Sequence, residues 1–132
     1  MMWRAGQRLQ AADALVLCFP TWWYGMPAIL KGWFDRVWLS GVAFHNPPEG
    51  GAIRRGLTNI RKFAVVTTYN APWWFIRLYM HEPGKKVLMR GVTRLIASGA
   101  RRQFLAHYDM LRSTEARRKR FLARVEQTFK SF

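Results

Sequence analysis

The chain has 132 residues, half of them hydrophobic, which suits one domain spanning residues 1–132 and excludes global disorder. Its 22 basic and 7 acidic residues leave a net charge of +15, a balance that fits solvated faces rich in arginine, or polyanions or anionic surfaces as partners. The single cysteine, Cys18, excludes a disulfide framework and fits a reducing cytoplasm, and no uninterrupted apolar run approaches the roughly 20 residues of a membrane span.

Residues 1–10 read as the tail of a helix. Residues 13–19, continuously apolar from Ala14 and closed by Pro20, have the pattern of a strand buried on both faces in a parallel sheet. Cys18, inside that run, reads as a small core residue. Trp22, Trp23 and Tyr24 leave the strand's carboxyl end as an aromatic loop, where open α/β sheets bind ligands. Pro27 suits the first turn of a helix. Ile29, Leu30, Trp33, Phe34, Val37 and Trp38 make its apolar stripe, with Lys31 and Asp35 one turn apart on the opposite face.

Gly41 to Phe44 is a short extended piece, and Pro and Gly make residues 46–51 a loop. Residues 62–68 are a second buried strand, rich in β-branched residues at its end and broken by Asn70-Ala71-Pro72. Residues 73–80 are aromatic and predict a short helix or ordered loop. A helix follows with Val87, Leu88, Gly91, Val92, Leu95 and Ile96 inward, ending at Ser98-Gly99. Residues 101–109 predict a third strand, less apolar and suited to an edge. Ser113 as N-cap and Glu115 in the first turn open a last helix. Phe121, Leu122, Val125 and Phe129 mark its buried side, and the basic run 117–120 falls partly on its outer side. Strands alternating with helices predict an α/β sheet.

Three scattered histidines and one cysteine carry no metal-ligand spacing. No glycine-rich dinucleotide or Walker motif and no serine nucleophile elbow occurs, and Asp13, Asp35 and Asp109 form no carboxylate pair.

The run Phe19-Pro20-Thr21-Trp22-Trp23-Tyr24-Gly25-Met26-Pro27-Ala28-Ile29-Leu30-Lys31-Gly32-Trp33-Phe34-Asp35-Arg36-Val37-Trp38, with Gly41-Val42-Ala43-Phe44 beyond it, resembles the NAD(P)H dehydrogenase (quinone) flavoproteins of flavodoxin-like fold. The resemblance is close over residues 11–44. It is weaker through Lys62-Phe63-Ala64-Val65-Val66-Thr67-Thr68-Tyr69 and into the last helix. It implies an open parallel sheet with helices on both faces, a bound FAD or FMN, and NAD(P)H as reductant. It also implies a quinone-like acceptor and a homodimer with the site at its boundary. Members of that family open with a first strand, a loop for the flavin phosphate, a helix and a second strand. This chain resembles them without that N-terminal third, so their first two strands are expected to be missing.

Carried over by position, Pro20, Thr21, Trp22, Trp23, Tyr24 and Gly25 match the loop that lays aromatics and amides along the flavin ring. Thr67, Thr68, Tyr69 and Asn70 match a Thr-Thr-Gly-Gly segment at the ring's polar edge, with Tyr69 and Asn70 in place of the glycines. Trp73, Trp74 and Phe75 are candidates for the wall of a quinone or nicotinamide pocket, or for a dimer interface, where such residues are enriched. Gap-free counting puts His81 at the position of the family's catalytic histidine. It puts Phe75 where the family has a tyrosine, so half of that pair is present.

The expected function is an NAD(P)H-dependent flavin oxidoreductase that passes hydride through the flavin to a quinone-like acceptor. One alternative is a non-enzymatic remnant or ancillary subunit, completed by a partner at its exposed strand edges. Another is a basic module for nucleic acid or a membrane surface. The aromatics lie in strand-end loops and are not interleaved with the basic runs, which counts against nucleic acid and leaves peripheral membrane contact open.

Overall fold

A computed structural model describes residues 2–132. In chain order these form α1 (Met2–Gln10), β1 (Ala14–Pro20), α2 (Ala28–Val37), the two-residue strands β2 (Phe44–His45) and β3 (Arg54–Arg55), and β4 (Lys62–Thr68). A helical turn over Phe75–Tyr79 precedes α3 (Pro83–Lys86), which continues in irregular turns to Leu95. β5 (Arg101–His107) and α4 (Glu115–Lys130) complete the fold. The main sheet is parallel, in the order β1-β4-β5. Met1, part of the expected helical tail, lies outside the described residues.

The register fixes which residues share a face. Leu17 aligns with Val65 and Phe104, while Pro20 aligns with Thr68 and His107. On the first face, Leu17, Phe63 and Val65 pack with Leu9, Phe34, Val37, Leu88, Val92 and Ile96. One side of the sheet is therefore covered by α1, α2 and the helical stretch from Pro83. On the other face α4 lies over β5, with the Phe121 ring 5.1 Å from His107. β4 is central and buried from both sides, and Phe63, Ala64 and Val65 are wholly inaccessible. That is why its sequence is a continuous apolar run.

β1 departs from the expectation of burial on both faces. Its odd positions are covered, but Ala14, Val16, Cys18 and Pro20 are exposed, because α4 covers β5 and, among the described residues, nothing reaches across to β1. Cys18 is thus a surface thiol rather than a core residue. Other single positions differ for local reasons. Ile29 is 86% exposed and Leu122 63% exposed, each at the margin of its apolar stripe. The α4 cap is Thr114, whose hydroxyl accepts from the Arg117 amide. Ser113 is diverted, its Oγ lying 2.7 Å from His107 Nε2. The helical stretch ends at Leu95, short of Ser98-Gly99, because Ile96 turns extended and bridges to Leu57.

Gly41, Val42 and Ala43 form a turn before β2, which pairs antiparallel with β3. Gly56 closes this clip, since a Cβ there would sit 2.6 Å from the Val42 carbonyl oxygen. Among the described residues no helix is long and apolar enough to cross a membrane.

Candidate functional site

β1 and β4 both end on the same edge of the sheet, so the segments that leave them meet. The Thr21 amide donates to the Thr68 carbonyl (2.9 Å), and the Thr21 and Thr67 hydroxyls bond to each other at 2.8 Å. The first residue of the aromatic loop is thereby clamped to β4. Trp22 and Gly25 then exchange two backbone hydrogen bonds, 3.1 and 3.0 Å. Trp23 (φ +47°) and Tyr24 (φ +64°) sit between them, the φ pattern of a tight type I′ turn. Such turns favour Asn-Gly, because a Cβ in the left-handed region costs about 1–2 kcal/mol per residue. Two bulky aromatics held there are a strained feature of the kind that gathers at functional sites.

The turn leaves the Trp23 and Tyr24 amides without a partner among the described residues. Trp22 and Trp23 are 64% and 91% exposed. Pro20, Thr21, Trp22, Trp23, Thr68 and Asn70 line one open slot of about 360 Å³. The sequence-predicted loop and strand end thus share one slot, with two exposed indoles beside it.

Tyr69 behaves differently from its neighbours. Its amide is used by the His107 carbonyl (2.8 Å) and its ring is buried, stacked on Tyr108 at 5.2 Å with 8° between planes. Burial pushes its phenol up to about 12, against a smaller lowering by the Thr21 hydroxyl. It is therefore a neutral hydroxyl supporting the loop from within.

Phe75 comes to the site. Its centroid lies 6.2 Å from Tyr24 and 5.0 Å from Tyr79. Trp74 meets Phe75 edge-on at 5.8 Å, and Trp73 and Trp74 are each about half exposed. Together with the loop they make an aromatic surface at the strand ends. His81 is exposed, in a left-handed turn with Glu82 (φ +56° and +51°), and lines none of the cavities at the strand ends.

Sequence reading gave His107 no role, yet it is buried on this edge at the end of β5. Burial lowers its pKa first, with Arg117, Arg118 and Arg124 adding to the effect. Its signal was the pairing with Ser113 six residues on, which becomes visible only when the last helix begins one residue later than expected. In the basic run of α4, Lys119 pairs with Glu115 (2.7 Å), and Arg117 reaches Asp109 (3.9 Å) and donates to the Tyr108 carbonyl (3.4 Å).

A three-stranded parallel sheet under helices on both faces, with an aromatic slot at the strand ends, is the architecture of an open α/β protein, a class whose ligand sites lie at the carboxyl ends of the strands. The flavodoxin-like fold family matches residues 3–129, and the chain belongs to it. NAD(P)H dehydrogenase [quinone] 1 of Rattus norvegicus is 53% identical over 38 residues, 29% of this chain and 14% of that protein. The structure of Smu.1420 from Streptococcus mutans superposes with a TM-score of 0.84 at 26% identity, covering 99% of this chain and 66% of that one. An NAD(P)H:quinone oxidoreductase from Methanothermobacter marburgensis gives a TM-score of 0.70 at 27% identity, covering 96% of this chain and 61% of its own. The chain spans less than two thirds of each of these proteins.

Proposed function

We propose that this chain carries the ring-binding part of an NAD(P)H-dependent flavin oxidoreductase whose acceptors are quinone-like. The observation that carries this reading is the strained turn at Trp23-Tyr24, which holds two free amides and an exposed indole beside the Thr68–Asn70 strand end. Those groups fit a flavin ring. Indole stacks well on a flat electron-poor system, and fixed amide donors favour negative charge at the ring edge. When bound, the flavin supplies hydride acceptance and donation, and the protein supplies binding, orientation and electrostatics.

In this reading Pro20 to Gly25 hold the ring face and the Thr68 and Asn70 end holds its polar edge. The Thr67 and Thr21 hydroxyls lock the two segments together. Tyr69 contributes through the fold rather than by touching the ring. Trp73, Trp74 and Phe75 supply the wall against which a flat acceptor or nicotinamide is laid. A quaternary partner would complete that wall, and a homodimer is the form proposed. His81 is proposed as a residue that buffers charge on the ring, brought to it by a swing of the left-handed turn at His81-Glu82.

The bare edge of β1 supports a second element of the proposal. β1 is an edge strand of the described sheet, and its outward backbone groups offer the position of one further parallel strand, so the site would work as part of a larger sheet.

The test is to incubate the purified chain with FAD and, separately, FMN, desalt it, and record the visible spectrum. Retained flavin absorbance from wild type, reduced in Trp23→Ala, is expected. A folded chain that retains neither flavin refutes the proposal for the chain alone.

A further inference from the structure

A second cavity lies under the aromatic turn, on the side of the sheet covered by α2 and α3. It is a partly open pocket of about 370 Å³, at the small end of the range for compact ligands. Its body is apolar, built from Phe19, Met26, Val87, Leu88 and Phe104. Thr21 and Tyr69 line it as well and bring its uncharged hydroxyls. Tyr24 and Gly25, part of the strained turn, close it from above.

The charges at its margin are already balanced. Lys31, which lines the cavity, is held by Asp35 at 2.5 Å. Lys85, whose ammonium stands 5.5 Å from the Phe104 ring centroid, is held by Glu82 at 3.1 Å. An anionic ligand would have to compete with these carboxylates for the lysines or enter an apolar space with its charge unmatched, and the second is costly. The phenol of Tyr69 stays protonated well above neutrality, because burial raises it. It can therefore offer a proton to an oxygen of the ligand.

We propose that this cavity is a second binding site, distinct from the slot at the strand ends, for a neutral planar bicyclic aromatic bearing one hydroxyl or carbonyl oxygen. The apolar walls hold the rings, and the Tyr69 and Thr21 hydroxyls receive the oxygen. Tyr24 and Gly25 are shared with the turn above, so filling the cavity braces the turn that presents Trp23. The proposal stands without the flavin reading, since every wall belongs to the chain itself.

The experiment is isothermal titration of the full chain, without flavin, using 2-naphthol as probe and 2-naphthoate as its charged counterpart. One-to-one saturable binding of 2-naphthol with half-saturation below about 1 mM is expected. Val87→Trp and Met26→Phe fill the cavity and should each weaken binding about tenfold or more, the effect of forced overlap. Two such variants, both checked by circular dichroism, keep the test valid if one fails to fold. Trp22→Ala, outside this cavity, should leave the affinity unchanged, and 2-naphthoate should bind about tenfold more weakly, since its charge is unpaired.

No saturable binding by the folded chain overturns the proposal. So does loss of binding in Trp22→Ala with both filling variants unaffected, which would place the probe on the outer aromatic surface. Equal affinity for 2-naphthoate would overturn the assignment to neutral ligands.

Discussion

Replacing Trp23 with asparagine separates the cost of the turn from its use. Trp23 sits at φ +47°, where a side chain with a Cβ costs about 1–2 kcal/mol and asparagine is tolerated far better. The indole is 91% exposed, so its removal takes almost no apolar burial from the fold. The balance is a stabilisation of about 1 kcal/mol, or roughly 3–4 °C in Tm for a domain of this size. Trp23→Ala is the matched control. It removes the same ring but keeps a Cβ in the left-handed region, so Tm should hardly move. Both variants should lose flavin affinity alike, by about 3–10-fold if the indole stacks on the ring. Thermal unfolding followed by far-ultraviolet circular dichroism, and flavin titration, read the two effects. If Trp23→Asn lowers Tm, the indole supports the fold and the strain argument fails. If flavin affinity is unchanged in both, the exposed ring is not part of the cofactor surface.

Three further outcomes test other parts of the structure. His107 has a lowered pKa in the fold, so its neutral form is favoured there. Stability should be full above its ordinary value of about 6.5 and fall as pH drops from there through the folded value. His107→Gln should flatten that part of a urea-denaturation pH profile, and an unchanged slope would refute it. A Cβ at Gly84 would sit 2.7 Å from the Tyr24 carbonyl oxygen, so Gly84→Ala should destabilise by about 1–3 kcal/mol. Gly91, with nothing within 4 Å, should gain about 0.4–1 kcal/mol as alanine, and equal effects in urea melts would contradict the contact. On β1, Leu17→Ala should cost about 2–4 kcal/mol, whereas Val16→Thr on the bare face should stay within about 0.5 kcal/mol. A large loss at Val16 would mean that this face is covered in solution.

The elements that could be read from the sequence were those whose burial follows a simple period. β4 is buried from both sides, and its run of Phe63 to Thr67 shows it without ambiguity. α2 announces itself by Pro27 and the Phe34–Val37 stripe. β5 was legible as an edge because Arg101 and Arg102 open it. The failure at β1 has a physical cause. Its run is as apolar as that of β4, and apolar character records the surroundings a strand is suited to, not what the present chain packs against it. Val16 and Cys18 therefore read as core and stand exposed. Ser113 was misread because a hydroxyl can serve either a helix amide or a side chain, and His107 holds it.

The turn at Trp23-Tyr24 was legible as a loop but not as a strained one, because its φ values run against both residues' preference. The clamp on either side of it explains how the strain is held. Thr21 is tied to β4 through its amide and its hydroxyl, and Gly25 leads within three residues into α2, whose Phe34 and Val37 are fixed in the core. Gly84 then touches the Tyr24 carbonyl from below, a contact that any side chain there would prevent. With both ends and the underside fixed, the chain between Trp22 and Gly25 must reverse in two residues, and a left-handed pair does so while leaving its own two amides out of the turn's hydrogen bonds. A flexible glycine turn could present the same amides, but only by ordering itself on each binding event. The rigid turn has that ordering built in, and this is the physical reason to look for the ligand at the exposed face of Trp23 before anywhere else on the molecule.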